Sequence, residues 1–204
     1  MGCLPDLAAT VGTVASHAPV ALSLVGLALG LLLQPLAAGR SEAQSAPVFT
    51  LGSPAFAHQG SIPARYTCEG ADVSPPLAWS GVPAGARSLV LIVNDPDAPD
   101  PAAPKLVWDH WLIYNLPPTL EQLPEAVTRD ALPPGARFGT NSWKRADYGG
   151  PCPPIGRHRY FHKLYALDIV LPDLQQPDRR ALDATMSGHI LGTAELIGTY
   201  QKQR

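Results

Sequence analysis

Apolar and polar positions alternate with more than one rhythm along this chain. Residues 88–94, SLVLIVN, form an unbroken apolar run rich in β-branched side chains. Such a run predicts a strand buried on both faces. Residues 107–115, VWDHWLIYN, predict a second strand. Strict alternation there puts Trp108, His110, Leu112 and Tyr114 on one face and Val107, Asp109, Trp111 and Ile113 on the other. Residues 159–171, RYFHKLYALDIVL, predict a third strand and residues 189–200, HILGTAELIGTY, a last one. Shorter strands are expected near residues 48–51 and 77–79. Residues 178–187, DRRALDATMS, start after Pro177 and stop at Gly188, which predicts a helix. Residues 116–143 are rich in Pro and Gly with little periodicity and read as a surface excursion. The expected product is one mainly β domain over residues 47–204 with a late helix.

Residues 1–46 follow a different pattern. Residues 18–38, APVALSLVGLALGLLLQPLAA, are almost wholly apolar and are followed by Arg40, Glu42 and the small-residue run AQSAP. An apolar segment ahead of small residues predicts an export signal cleaved near Ser45 and Ala46. The preceding segment has no Lys or Arg, and the apolar run is nearly long enough to span a bilayer, so an uncleaved membrane segment is the alternative. A misassigned start is a third reading. Asp6 rules out a myristoylation signal, and Cys3 precedes the apolar run, which is the wrong place for a lipoprotein cysteine. The expected location is periplasmic or extracellular, with this segment as a potential anchor.

Composition narrows the partners. The 204 residues are 46% hydrophobic and 16% charged, with a formal charge of -2. No cationic cluster in the body of the chain exceeds a pair such as Arg179 and Arg180. Binding nucleic acid needs a cationic stripe to neutralise phosphates, so that partner class is excluded. The 23 prolines are spread in short groups and predict rigid turns between short strands, since proline fixes φ and cannot donate to a sheet ladder. Beyond residue 46 the only cysteines are Cys68 and Cys152, without the spacing of a zinc site.

Few familiar chemical motifs appear. His158 and His162 have a metal-like spacing, but on a strand they lie about 13 Å apart, too far to share one ion. There is no G-x-S-x-G elbow and no glycine-rich phosphate loop, so no catalytic residue, metal or cofactor is predicted. Three segments remain: DPDAP at 95–99, VWDHW at 107–111 and GGPCPPIGRHRY at 149–160. Each alone is ordinary, because Asp-Pro pairs form turns and a histidine among aromatics is usually a satisfied core residue. Together they suggest a small anion pocket. Two histidines and the Tyr160 hydroxyl are donors, a nearby carboxylate would keep a histidine cationic, and Trp108 and the prolines would wall the cavity.

The same residues carry a resemblance. The stretch IPARYTCEGADVSPPLAWSGVPAGARSLVLIVNDPDAP, then WDHWLIYNLP, NSWKRADYGGPCPPIGRHRYFHKLYALD and MSGHILGTAELIGTYQ, resembles the phosphatidylethanolamine-binding protein family in its bacterial and archaeal Raf-kinase-inhibitor-like branch. The resemblance covers nearly all of residues 49–201. It implies a β-sandwich of a large and a small sheet with a helix near the C-terminus. It also implies a pocket lined by Asp95, Trp108, His110, Cys152, Pro154, His158 and Tyr160, with Asp97 as a brace. In that pocket His110 and His158 would donate to the anion and Tyr160 would add a hydroxyl donor. Backbone around Cys152 and Pro154 would shape the rim, and Asp95 would bond a histidine or a ligand ammonium. Two residues depart from the family pattern: His162, expected to add charge or reach solvent, and Cys152, where a small residue is common.

The expected function is non-enzymatic binding of phosphate or carboxylate head groups, such as that of phosphatidylethanolamine. One alternative is inhibition of a serine protease or kinase through surface loops such as residues 116–139. The other is a hydrolase using the histidines, although no nucleophile is evident. Export would place Cys68 and Cys152 where lone cysteines pair. The alternative is two buried free thiols.

Overall fold

The structure is a computed structural model that describes residues 47–203. The expected signal or membrane segment, and with it the expected location, lies outside the described residues. Among those residues no helix is long and apolar enough to cross a membrane.

Eight strands run in the order β1 (Thr50–Gly52), β2 (Leu77–Ser80), β3 (Ser88–Asp95), β4 (Trp108–Leu116), β5 (Gln122–Leu123), β6 (Arg137–Phe138), β7 (His158–Leu167) and β8 (Ile190–Tyr200). Helix α1 (Arg179–Met186) lies between β7 and β8. The strands form two antiparallel sheets, a small one ordered β1-β2-β5 and a large one ordered β6-β4-β3-β7-β8. This is the mainly β domain with a late helix that the sequence predicts, in the two-sheet sandwich that the family resemblance implies. The SLVLIVN run becomes the centre of the large sheet, paired to β4 on one side and β7 on the other, with all eight residues of β3 buried.

The two faces of β3 serve two cores. Leu89, Leu91 and Val93 pack with Leu77 and Trp79 of the small sheet. Val90 and Ile92 pack instead with Leu182 and Met186 of α1. Those two helix residues are four apart, so one helix face meets the sheet. Asp178 starts α1 by accepting a hydrogen bond from the Ala181 N–H at 2.9 Å. Gly188, at φ +83°, turns the chain away just beyond its end.

Strict alternation fails in β4. Val93 pairs with Trp111, but the next residue, Asn94, pairs with Asp109. The extra residue is His110, so a β-bulge there turns both His110 and Trp111 toward the inter-sheet side. Trp111 and Ile113 join the first core, and Leu112 and Tyr114 the second. The predicted grouping of Trp108 and His110 with Leu112 and Tyr114 is therefore corrected by a one-residue shift. The third strand also ends early, at Leu167. Beyond it the chain leaves the ladder, and Asn115 holds it by accepting from the Leu171 N–H at 2.9 Å. The excursion at residues 116–143 is not all surface. It contributes β5 and β6 and buries Leu123, Val127 and Phe138.

Candidate functional site

One end of the inter-sheet face opens into a cavity of about 310 Å³. Its lining includes six of the seven residues expected around the pocket: Asp95, Trp108, His110, Cys152, Pro154 and His158. Asp95 continues the inward face of β3 two residues beyond Val93. Trp108 and His110 are brought in by the β4 bulge, and His158 opens β7.

The floor is a hydrogen-bonded set with few free donors. Asp95 Oδ2 lies 2.6 Å from His158 Nδ1, and both side chains are buried. The other nitrogen of the ring, Nε2, lies 3.0 Å from the Ile155 carbonyl oxygen. A carbonyl only accepts, so Nε2 carries a proton, and Nδ1 and the carboxylate share one more. Whether written as imidazolium and carboxylate or as imidazole and carboxylic acid, the pair is net neutral. Burial, the larger influence, raises the Asp95 pKa above the ordinary carboxylate value, against the pull of the His158 bond. Asp95 Oδ1 accepts from the Asp97 N–H at 2.8 Å.

Asp95, expected to bond a histidine or a ligand ammonium, therefore pairs with His158 and not with His110. The latter ring bonds a carbonyl, with Nδ1 2.7 Å from Gly149 O. That carbonyl requires Nδ1 to be protonated, and burial pushes the ring pKa down to about 4. At neutral pH the ring is uncharged and its lone pair sits on Nε2. His110 thus offers an acceptor where a cationic donor was expected.

Tyr160 is absent from the cavity lining. Its ring stands against His110, with centroids 5.2 Å apart, and against His158 at 6.4 Å. Its hydroxyl is buried without a hydrogen-bond partner, and burial raises its pKa. Asp97 braces the site from outside. It accepts from Arg159 Nε at 2.9 Å, Nη2 at 2.7 Å and the backbone N–H at 2.9 Å. The Arg159 fork holds its pKa below the ordinary carboxylate value.

His162 neither adds charge nor reaches solvent. It is buried against Phe56, with ring centroids 5.6 Å apart, and burial lowers its pKa to about 4. The structure bonds Cys68 to Cys152, with Cα atoms 5.4 Å apart, so neither is a buried free thiol. Both bridge residues are exposed, and the bridge ties the cavity rim to the loop that follows Tyr66.

Sequence reasoning missed Trp143. Its ring meets Trp108 edge-on at 5.3 Å and His110 at 5.1 Å, and it completes the aromatic wall. It hangs from a loop fixed by Asn141, whose Oδ1 accepts from the N–H groups of Trp143 and Arg145. A Cβ on Gly149 would come within 2.4 Å of the indole, so glycine is needed for the ring to lie flat there. A lone tryptophan in the polar run NSWKRAD was the available signal. Leu106, Ala98, Pro99 and Pro153 also line the cavity.

Three comparisons bear on this arrangement. The family model described as "Phosphatidylethanolamine-binding protein" matches residues 52–201. A UPF0098 protein of Methanothermobacter thermautotrophicus is 49% identical over 150 residues, covering 72% of this chain and 95% of that protein. A UPF0098 protein of Chlamydia pneumoniae is 46% identical, covering 74% and 97% respectively. The crystal structure of a putative phosphatidylethanolamine-binding protein homolog, CT736 of Chlamydia trachomatis, is 43% identical. It matches with a TM-score of 0.70 over 76% of this chain and 99% of that one. E. coli YbcL, titled a new member of the mammalian PEBP family, is 31% identical, with a TM-score of 0.68 and the same coverage. With motifs, sheet order and matched length in agreement, this chain belongs to the phosphatidylethanolamine-binding protein family.

Proposed function

We propose that the chain is a non-enzymatic binding protein whose cavity takes a small phosphate or carboxylate head group together with one proton. The observation that carries this reading is the state of the floor. The Asp95–His158 pair is net neutral, and His110 presents a lone pair. No fixed cation waits there, so an anion must bring a proton or draw one onto His110. A phosphate monoester has a second pKa of about 6, so it keeps that proton below about pH 6 and takes one up on binding near neutrality. Its P–OH would donate to His110 Nε2.

The walls suit what is attached to such a group. Trp108 and Trp143 present rings on which an ammonium can rest. Leu106 and Trp143, both exposed at the mouth, favour a carbon chain leading outward. The lining holds no hydroxyl, and its one sulfur is tied in the bridge to Cys68, so it offers no serine, threonine or cysteine nucleophile.

The test is calorimetric titration of inorganic phosphate, phosphoethanolamine and acetate, in two buffers of different ionisation heat. Phosphoethanolamine should bind tightest, with proton uptake, and its affinity should fall as pH rises above about 6. His110→Gln should remove the pH dependence. Unchanged affinity and pH profile in His110→Gln would sink the reading.

A further inference from the structure

The opposite face of the large sheet carries a second cavity, of about 690 Å³, between β3, β4 and the start of α1. Its floor holds two polar side chains side by side. Asn94 and Asp109 are cross-strand partners, so their Cβ atoms lie roughly 5 Å apart on one face. Asn94 Oδ1 and Asp109 Oδ1 are both buried and neither has a hydrogen-bond partner. Asn94 is only 6% exposed, and it lines the cavity.

Asp109 Oδ1 forms an ion pair with Arg179 Nη1 at 3.6 Å, too long for a hydrogen bond. Arg179 spends its Nε on Asp183, at 2.8 Å from both carboxylate oxygens. Two adjacent acceptors, one of them a carboxylate, call for a donor with several N–H bonds and a positive charge. The cavity wall supplies the opposite chemistry. Lys144, Lys163 and Arg180 line it beside Asp178 and Asp183, but those two carboxylates are taken up by the Ala181 N–H and by Arg179, whereas Lys144 and Arg180 make no ion pair among the described residues. A simple cation would meet that wall unfavourably, and a simple anion would meet the floor unfavourably.

We infer that this cavity is a binding site for a small zwitterion, with a primary ammonium seated at the Asn94–Asp109 pair and a carboxylate facing Arg180 and Lys144. Free α-amino acids have this chemistry. The site lies on the other side of the sheet from the His110 cavity and does not depend on what that cavity binds.

The probe is L-alanine, with methylammonium and acetate as its two halves, titrated into the full-length protein. Calorimetry gives the affinity, and the Asn94 side-chain NH₂ signal in an ¹⁵N spectrum reports the place. Alanine should saturate and shift that signal, binding about tenfold or more tighter than either half. Asn94→Leu and Arg180→Gln should each weaken alanine by about tenfold, as expected for losing a hydrogen bond to a charged group. Arg180 is exposed on the helix, so that variant tests the site without burdening the fold. Phosphate titration of Arg180→Gln should match the wild type. Failure of alanine to saturate, methylammonium binding as tightly as alanine, or unchanged alanine affinity in both variants overturns the assignment.

Discussion

Asp95 can be replaced in two ways that separate its charge from its hydrogen bonds. Asp95→Ala leaves two buried polar groups without partners, the Asp97 N–H and His158 Nδ1. Each orphaned group costs about 1–3 kcal/mol. Breaking a buried pair by removing one member typically costs about 3–5 kcal/mol in all. Asp95→Asn leaves no orphan. Its Oδ1 still accepts from Asp97, its NH₂ donates to His158 Nδ1, and the neutral ring keeps its Nε2 proton on Ile155. Burial dominates the raised Asp95 pKa, so the charge itself gains little from the fold. Asp95→Asn should therefore stay within about 1 kcal/mol of wild type near pH 7. The sign with pH follows. A carboxyl whose folded pKa is raised above 3.8 stabilises the fold fully below that value, and loses the contribution as pH rises through the folded value. Relative to wild type, Asp95→Asn should thus gain stability between pH 4 and 7. Urea unfolding of both variants across that range measures this directly. If Asp95→Asn lost as much stability as Asp95→Ala at pH 7, the ion pair itself would hold the site together and the reasoning would fail.

Acid should unfold the protein through His110 and His162. Both are held near 4 against an ordinary 6.5, so their contribution is full above 6.5 and is lost as pH falls toward 4. Each accounts for about 3 kcal/mol over that range. His162→Leu should flatten the acid limb of a stability profile, and an unchanged limb would refute the assignment. Asp109 acts in the opposite sense, because burial raises it from 3.8 to about 6. Its contribution is full below 3.8 and fades as pH rises through 6, and Asp109→Asn should remove that slope in chemical denaturation. Replacing Cys68 and Cys152 with serine should cost about 4–5 kcal/mol, since the bridge spans a sequence separation of 84, and should weaken phosphoethanolamine by loosening the rim. Unchanged unfolding midpoints in the double variant would exclude that role.

Long elements were legible in the sequence where one force dominated. The apolar run of β3 has a single solution, burial on both faces, and it sits at the sheet centre. The helix carries its own start and stop, Asp178 and Gly188, so its limits follow from local chemistry. The short strands β5 and β6 carry no pattern of their own, because two residues are paired only by what β2 and β4 offer them. In the site, residue identity was readable and pairing was not. Three polar segments announce a pocket, yet nothing in DPDAP says that its first aspartate meets His158 rather than His110. The charge states depended on depth. Burial makes His110 and His162 neutral, and burial is a tertiary quantity that neither residue's neighbours in sequence reveal.

The bulge at His110 shows how one inserted residue can set the chemistry of both sheet faces. In a regular strand His110 would share a face with Leu112, and Asp109 would share one with Trp111. The extra residue lets Asp109 stay opposite Asn94 on the helix side while His110 and Trp111 both turn inward. Without the bulge, keeping Trp111 in the core would require His110 to face the helix side and Asp109 to enter the inter-sheet cavity. A second carboxylate there would sit near Asp95 with no added cation, a costly arrangement for buried like charges. The inward histidine is also neutral because the bulge carries it into the core, where burial outweighs the opposing pull of the Gly149 carbonyl on Nδ1. The same irregularity that defeats strict alternation thus sorts the acid from the imidazole, leaving an acceptor-lined floor in one cavity and an acid–amide pair in the other.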